Sequence, residues 1–173
     1  MSDDHVAITK VRCRSLGGLR SELTVKDHAP LVSDEPADFA VDALVGTDTG
    51  WTPVQYQLAG LIACANVAIA LTAQDQGFQL DGLEIRAQSD IDLRGLLDGD
   101  PDRQPQFLHV GVEYRIDTPE PAERIDALAR ESDRRCPQLT LFHQARVPMT
   151  QVWTRDGEEV AAYRTDQDAT RSP

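Results

Sequence analysis

The feature that most constrains this chain is an apolar run, Leu58 to Leu71, framed by helix punctuation. Thr52-Pro53-Val54-Gln55 reads as a helix start. Thr52 is the N-cap, Pro53 occupies the first helical position and Gln55 is placed to close a capping box. Gly77 supplies a C-cap residue. The middle of the predicted helix is apolar on every side, so it is expected to be buried all round. A chain of 173 residues has difficulty surrounding such a helix alone, and a dimer that shares it is expected. The run falls short of the ~20 residues a membrane span needs, so no membrane partner is expected.

Strand patterns surround this helix. Val6 to Arg14 and Ser21 to Lys26, separated by Ser15-Leu16-Gly17-Gly18, predict a β-hairpin. The acidic stretch Asp34 to Gly50 reads as loop, with room for a short strand near Phe39 to Leu44. Leu83 to Leu93 and Leu108 to Asp117 each alternate apolar and polar residues, as half-buried strands do. A second, amphipathic helix is expected from Thr118-Pro119 to just before Cys136-Pro137, and a last strand from Val147 to Trp153. This order predicts one α+β domain over residues 1–154, followed by a polar, loose tail over 155–173.

With 40% hydrophobic and 27% charged residues, the composition is that of a globular chain. A formal net charge of −12 leaves no basic stripe for phosphates, which excludes nucleic acid as an expected partner. His5, His28, His109 and His143 show no ligand spacing, so no metal is expected. Gly17-Gly18 opens a turn between strands and not a phosphate-binding loop. The opening MSDDHVAITK lacks a basic stretch followed by an apolar one, so a cytoplasmic location is expected. There, the three cysteines (Cys13, Cys64 and Cys136) are either buried and inert or redox-active. Trp51 and Tyr56 flank the helix start, where they either line an apolar pocket or simply pack.

The segment GWTPVQYQLAGLIACANVAIAL resembles the central helix of the OsmC/Ohr family, osmotically inducible protein C and the organic hydroperoxide resistance proteins. That helix reads roughly P-E-x-L-L-x-A-x-x-x-x-C, and Pro53 and Cys64 keep its spacing. GLRSELTVKDH and Asp34-Glu35-Pro36 are similar to the family's N-terminal strands and D-E-P turn; RRCPQLTLF resembles its second cysteine in a Cys-Pro context. The likeness runs from about Val6 to Trp153. It implies an OsmC-like fold, with antiparallel sheets around a long buried central helix in an intertwined homodimer. It also implies thiol peroxidase chemistry on organic hydroperoxides or another small apolar substrate, with no bound cofactor and an external dithiol as reductant. Cys64 would be the peroxidatic thiol and Cys136 the resolving one. A thiolate needs a cation beside it, because burial alone raises a thiol's pKa. The family supplies an arginine from the N-terminal strands, for which Arg20 is the first candidate and Arg14 the second, and a glutamate from the first helical turn. Here that turn offers Val54 and Gln55 instead, and Gln55 brings no charge. The departure leaves a rival expectation open: a redox-inactive or redox-sensing dimer that binds a small apolar ligand.

Overall fold

The computed structural model describes residues 5–165. The chain divides into two compact units, Met1–Gln57 and Leu58–Pro173.

In the first unit, β1 (Arg12–Gly17) and β2 (Arg20–Thr24) pair antiparallel, and β3 (Leu31–Ser33) adds to β2. Gly17 and Gly18 take positive φ, 96° and 58°, which the tight reversal requires. The first strand is shorter than the sequence predicts. Thr24, the last residue of β2, sits opposite Arg12, and the chain then turns at Lys26 with φ 47°. Val6, Ile8 and Val11 consequently lie outside the ladder and are exposed. The strand expected near Phe39 is a minute hairpin, β4 (Ala40–Val41) and β5 (Leu44–Val45). The acidic loop around it is fixed by one buried carboxylate. Oδ2 of Asp34 accepts hydrogen bonds from the backbone and hydroxyl groups of both Thr47 and Thr49, and Oδ1 accepts from the Glu35 N–H. The Thr47 hydroxyl leads the bonds that hold this carboxyl far below its usual range, burial opposing them. The Tyr56 hydroxyl donates to the Val32 carbonyl at 2.8 Å, tying the first helical turn to β3.

Helix α1 spans Pro53–Gln76, and Gly77 ends it at φ 56°, both as the sequence predicts. In the second unit α1 is followed by β6 (Gly82–Asp92), the short α2 (Arg94–Leu97) and β7 (Gln106–Asp117). Then come α3 (Ala122–Arg135), α4 (Pro137–Gln144), β8 (Met149–Arg155) and β9 (Glu158–Thr165). The four strands form one sheet in the order β6-β7-β8-β9. Val110, Val112, Tyr114 and Ile116 from β7 and Met149 and Trp153 from β8 form its buried face. They belong to one core with Leu61, Ala65 and Ile69 of α1, Ile125, Leu128 and Ala129 of α3, and Leu139 and Phe142 of α4.

Four expectations need correction. The sheet is not wholly antiparallel: β7 and β8 run parallel. Joining parallel strands takes a crossover, and α3 with α4 provides it. The second helix starts at Ala122 rather than at Thr118-Pro119, because Pro119 and Pro121 delay it and Pro121 stands extended at the N-cap. The segment 155–173, expected as a loose tail, carries β9 up to Thr165, paired antiparallel with β8; residues 166–173 lie outside the described residues. Helix α1 is not buried all round: Val67 and Leu71 are 57% and 49% exposed in the single chain. By length and composition α1 could cross a membrane, yet Leu61, Ala65, Ala68, Ile69 and Ala73 are core residues of the second unit.

Candidate functional site

The second unit brings Cys64 and Cys136 together. Cys64 lies on α1, half-buried and packed against the core; Cys136 is fully buried and a member of it. Cys136 caps two helices at once, closing α3 and opening α4, with φ −85° and ψ 111°. Pro137 explains this extended backbone, since the residue before proline is pushed out of the helical region while proline itself suits the first helical position. Burial raises the Cys136 thiol to about 11; hydrogen bonding and charge from the neighbouring Cys64 side chain add to the rise. Backbone N–H groups of Leu139 and Gln138, at the start of α4, work in the opposite direction, although neither makes a fully formed capping bond. Cys136 is therefore held as a neutral thiol against Cys64.

A chain of polar groups lies behind this joint. The Tyr114 hydroxyl donates to Oε1 of Gln151 at 2.9 Å, and Nε2 of Gln151 donates to Oδ1 of Asp133 at 2.8 Å. The same carboxylate oxygen accepts from Nε2 of His143 at 3.2 Å. Burial opposes ionisation of Asp133, but the bonds from His143 and Gln151 outweigh it and hold the carboxyl below its usual range. The Asp133 partnership raises His143. Burial raises Tyr114, helped by the charges of Asp133 and Cys136, so its hydroxyl stays a proton donor. Tyr114 also stacks on Trp153, ring centroids 4.3 Å apart. Sequence reasoning missed this network, and only the Cys-Pro pair hinted that its surroundings mattered.

The other predicted residues belong to the first unit. Arg14 is exposed and paired with Glu22 at 3.0 Å. Arg20, on β2, has a buried Nε with no hydrogen-bond partner among the described residues, an arrangement that a binding role would explain. Gln55 makes the predicted capping box: its Oε1 accepts from the Thr52 N–H at 2.9 Å, and its own N–H donates to the Thr52 hydroxyl at 3.2 Å. Trp51 and Tyr56 pack against each other at 5.4 Å, and Trp51 stays exposed. Cys13 is exposed on β1. Among the described residues no cluster of three His, Cys, Asp or Glu side chains could hold a metal. A hollow of about 930 Å³ lies on the outer face of the sheet beside Glu84, Glu113, Arg115 and Asp117, away from both thiols. Arg115 and Glu84 pair there at 3.7 Å, so it is a charged surface groove and not the thiol site.

A mixed α+β sheet backed by a long helix, with one cysteine on that helix and another in the crossover, defines a narrow structural class. The family model described as OsmC-like protein matches residues 46–151, and the chain belongs to that family. No curated protein matches it by sequence. Solved structures agree with the fold. An OsmC-like protein from Mycoplasma pneumoniae has a TM-score of 0.71 at 15% identity, covering 86% of this chain and 97% of that one. The organic hydroperoxide resistance protein OhrB of Bacillus subtilis has 0.64 at 21%, covering 86% and 98%. An organic hydroperoxide resistance protein OsmC from Legionella pneumophila has 0.65 at 18%, covering 87% and 97%.

Proposed function

We propose that this chain is a thiol-dependent peroxidase for organic hydroperoxides, with Cys64 peroxidatic and Cys136 resolving. The observation that carries the reading is the pairing of the two thiols, one on α1 and one at the α3–α4 joint. The Cys64 thiolate attacks the distal peroxide oxygen; the O–O bond breaks and the alkoxide leaves, taking a proton to become the alcohol. Cys64 is then a sulfenic acid. The Cys136 sulfur, after losing its proton, attacks the Cys64 sulfur; the S–S bond forms and hydroxide leaves as water. A dithiol from outside supplies two electrons and two protons to restore both thiols. No bound cofactor enters these steps, and a reducing cytoplasm suits them. Arg20 is the proposed cation for the Cys64 thiolate, its unpartnered Nε supporting that role over the Glu22-paired Arg14. The exposed Val67 and Leu71 support a homodimer that covers α1.

A second reading is favoured by Gln55. Its carbonyl is engaged in the capping box and it carries no charge, so an arginine here is anchored weakly. A redox-sensing or inactive dimer that binds a small apolar ligand follows from that. Stoichiometric consumption of cumene hydroperoxide by the reduced protein separates the two. Consumption by wild type, its loss in Cys64→Ser and a trapped sulfenic acid in Cys136→Ser are expected. Equal, negligible consumption in all three would reject the peroxidase.

A further inference from the structure

Resting on the assignment of Cys136 as the resolving thiol, we infer that Asp133, held by Gln151 and His143, is a positioning residue for Cys136. It locks the α3–α4 joint so that this thiol stays beside Cys64.

The core packing of Leu128, Ala129, Leu139 and Phe142 brings the two helices together, but it does not by itself set the corner at Cys136. Between Arg135 and Pro137 the only residue is Cys136, extended at ψ 111°, so two helices pivot on the residue whose sulfur must be placed. Pro137 has no N–H with which to stiffen the corner. The backbone gives Cys136 one short-range bond into each helix: its N–H donates to the Asp133 carbonyl at 3.2 Å, and its carbonyl accepts from the Thr140 N–H at 2.9 Å. Asp133 adds a directional polar tie across α3 and α4. Its carboxylate, in the last turn of α3, accepts from His143 in the last turn of α4. It is also anchored from the sheet, through Gln151 on β8 and Tyr114 on β7. Each donor has a defined direction. The buried Tyr114 hydroxyl can give its proton only to Oε1 of Gln151, which turns the amide so that Nε2 points at Asp133. One carboxylate oxygen thus joins both helices of the crossover to the two parallel strands that the crossover connects. A connected polar network of this kind rigidifies its surroundings. Disulfide closure is an intramolecular reaction whose rate depends on orientation, and that is what the tie would supply.

The test reads closure without relying on peroxidase activity. Diamide, a dithiol oxidant, takes two electrons and two protons from a thiol pair, and peptide mass spectrometry under non-reducing conditions follows the Cys64–Cys136 disulfide in time. Wild type should form that disulfide. Asp133→Ala should slow it by about tenfold or more, the scale on which lost orientation slows an intramolecular reaction. Asp133→Asn keeps an acceptor oxygen and should recover most of the rate. In a Cys136→Ser background, alkylation of Cys64 by iodoacetamide should be unchanged by Asp133→Ala, which separates positioning from general loosening. If Asp133→Ala fails to fold, His143→Ala and Gln151→Met carry the same test, and both should slow closure. Closure at the wild-type rate in the folded variants overturns the inference, as does no Cys64–Cys136 disulfide in wild type, or Cys64 alkylation changed as much as closure. Slowed closure in a protein that consumes no hydroperoxide would reject the peroxidase and leave the positioning role standing.

Discussion

Replacing Tyr114 with Phe removes one hydroxyl from the interior and leaves the ring, so its effect can be worked out from a single bond. Tyr114 is 1% exposed, and Gln151, which accepts its proton, is 5% exposed. The stack on Trp153 survives the change, so no cavity of the large-to-small kind opens. What is lost is the 2.9 Å bond, and what remains is a buried Oε1 with no donor. Leaving a buried acceptor unsatisfied costs about 1–3 kcal/mol, more than the net worth of the bond itself. The asymmetry predicts a coupling. In a Gln151→Met background the Tyr114 hydroxyl has already lost its acceptor, so Tyr114→Phe removes an orphan and should be neutral or stabilising. Urea unfolding of the four proteins, with slopes unchanged, measures the cycle. A Tyr114→Phe penalty under about 0.5 kcal/mol, or the same penalty in both backgrounds, would refute the claim that the hydroxyl serves Gln151.

Gln55→Glu keeps the capping box and adds the missing charge; if Arg20 is under-anchored, peroxide consumption should rise by roughly tenfold, the gain that about 1.4 kcal/mol supplies. An unchanged rate would count against that account of the site. The His143–Asp133 pair should also show in stability against pH. Asp133 raises the folded-state pKa of His143, so the pair's contribution is complete below the unfolded value of about 6.5 and fades as pH rises through the folded one. Because the Asp133 carboxyl is held below its usual range, it stays ionised throughout that window. The thermal midpoint should therefore fall more steeply from pH 6 to 8.5 in wild type than in His143→Gln, and parallel profiles would contradict the assignment. Val67→Glu places a charge on the exposed side of α1. Light scattering should show wild type near twice the chain mass of 19.1 kDa and the variant near one, whereas a monomeric wild type would remove the proposed dimer.

The bounds of helix α1 were legible because their signals are local: Thr52, Pro53, Gln55 and Gly77 act within a turn of themselves, and each does what its chemistry predicts. The alternation in β6 and β7 was equally readable. The parallel pairing of β7 with β8 was not, since periodicity tells which residues face the core but not in which direction a neighbour runs. Helix α4 was hidden in eight residues too few for a period to emerge, and β9 lay in polar sequence whose partner, β8, decides its state. At the site, Cys64 and Cys136 could be picked out through the resemblance to the OsmC/Ohr family that Pro53, Cys64 and the Cys-Pro pair carry. Asp133, Gln151 and His143 could not, because each looks like an ordinary surface residue until tertiary structure joins them.

The crossover has a consequence for how the chain comes into being. Synthesis proceeds from the N-terminus, and both cysteines are made before β8 and β9 exist. A nascent chain that ends at Gln144 already contains the two thiols but lacks Gln151 and Trp153, the sheet residues behind their meeting place. Parallel pairing between distant segments forms late, once the long connection has been closed. The sheet-side anchor of Asp133 thus exists only once β8 has been made, and in an unfinished chain the α3–α4 joint lacks the tie from Gln151.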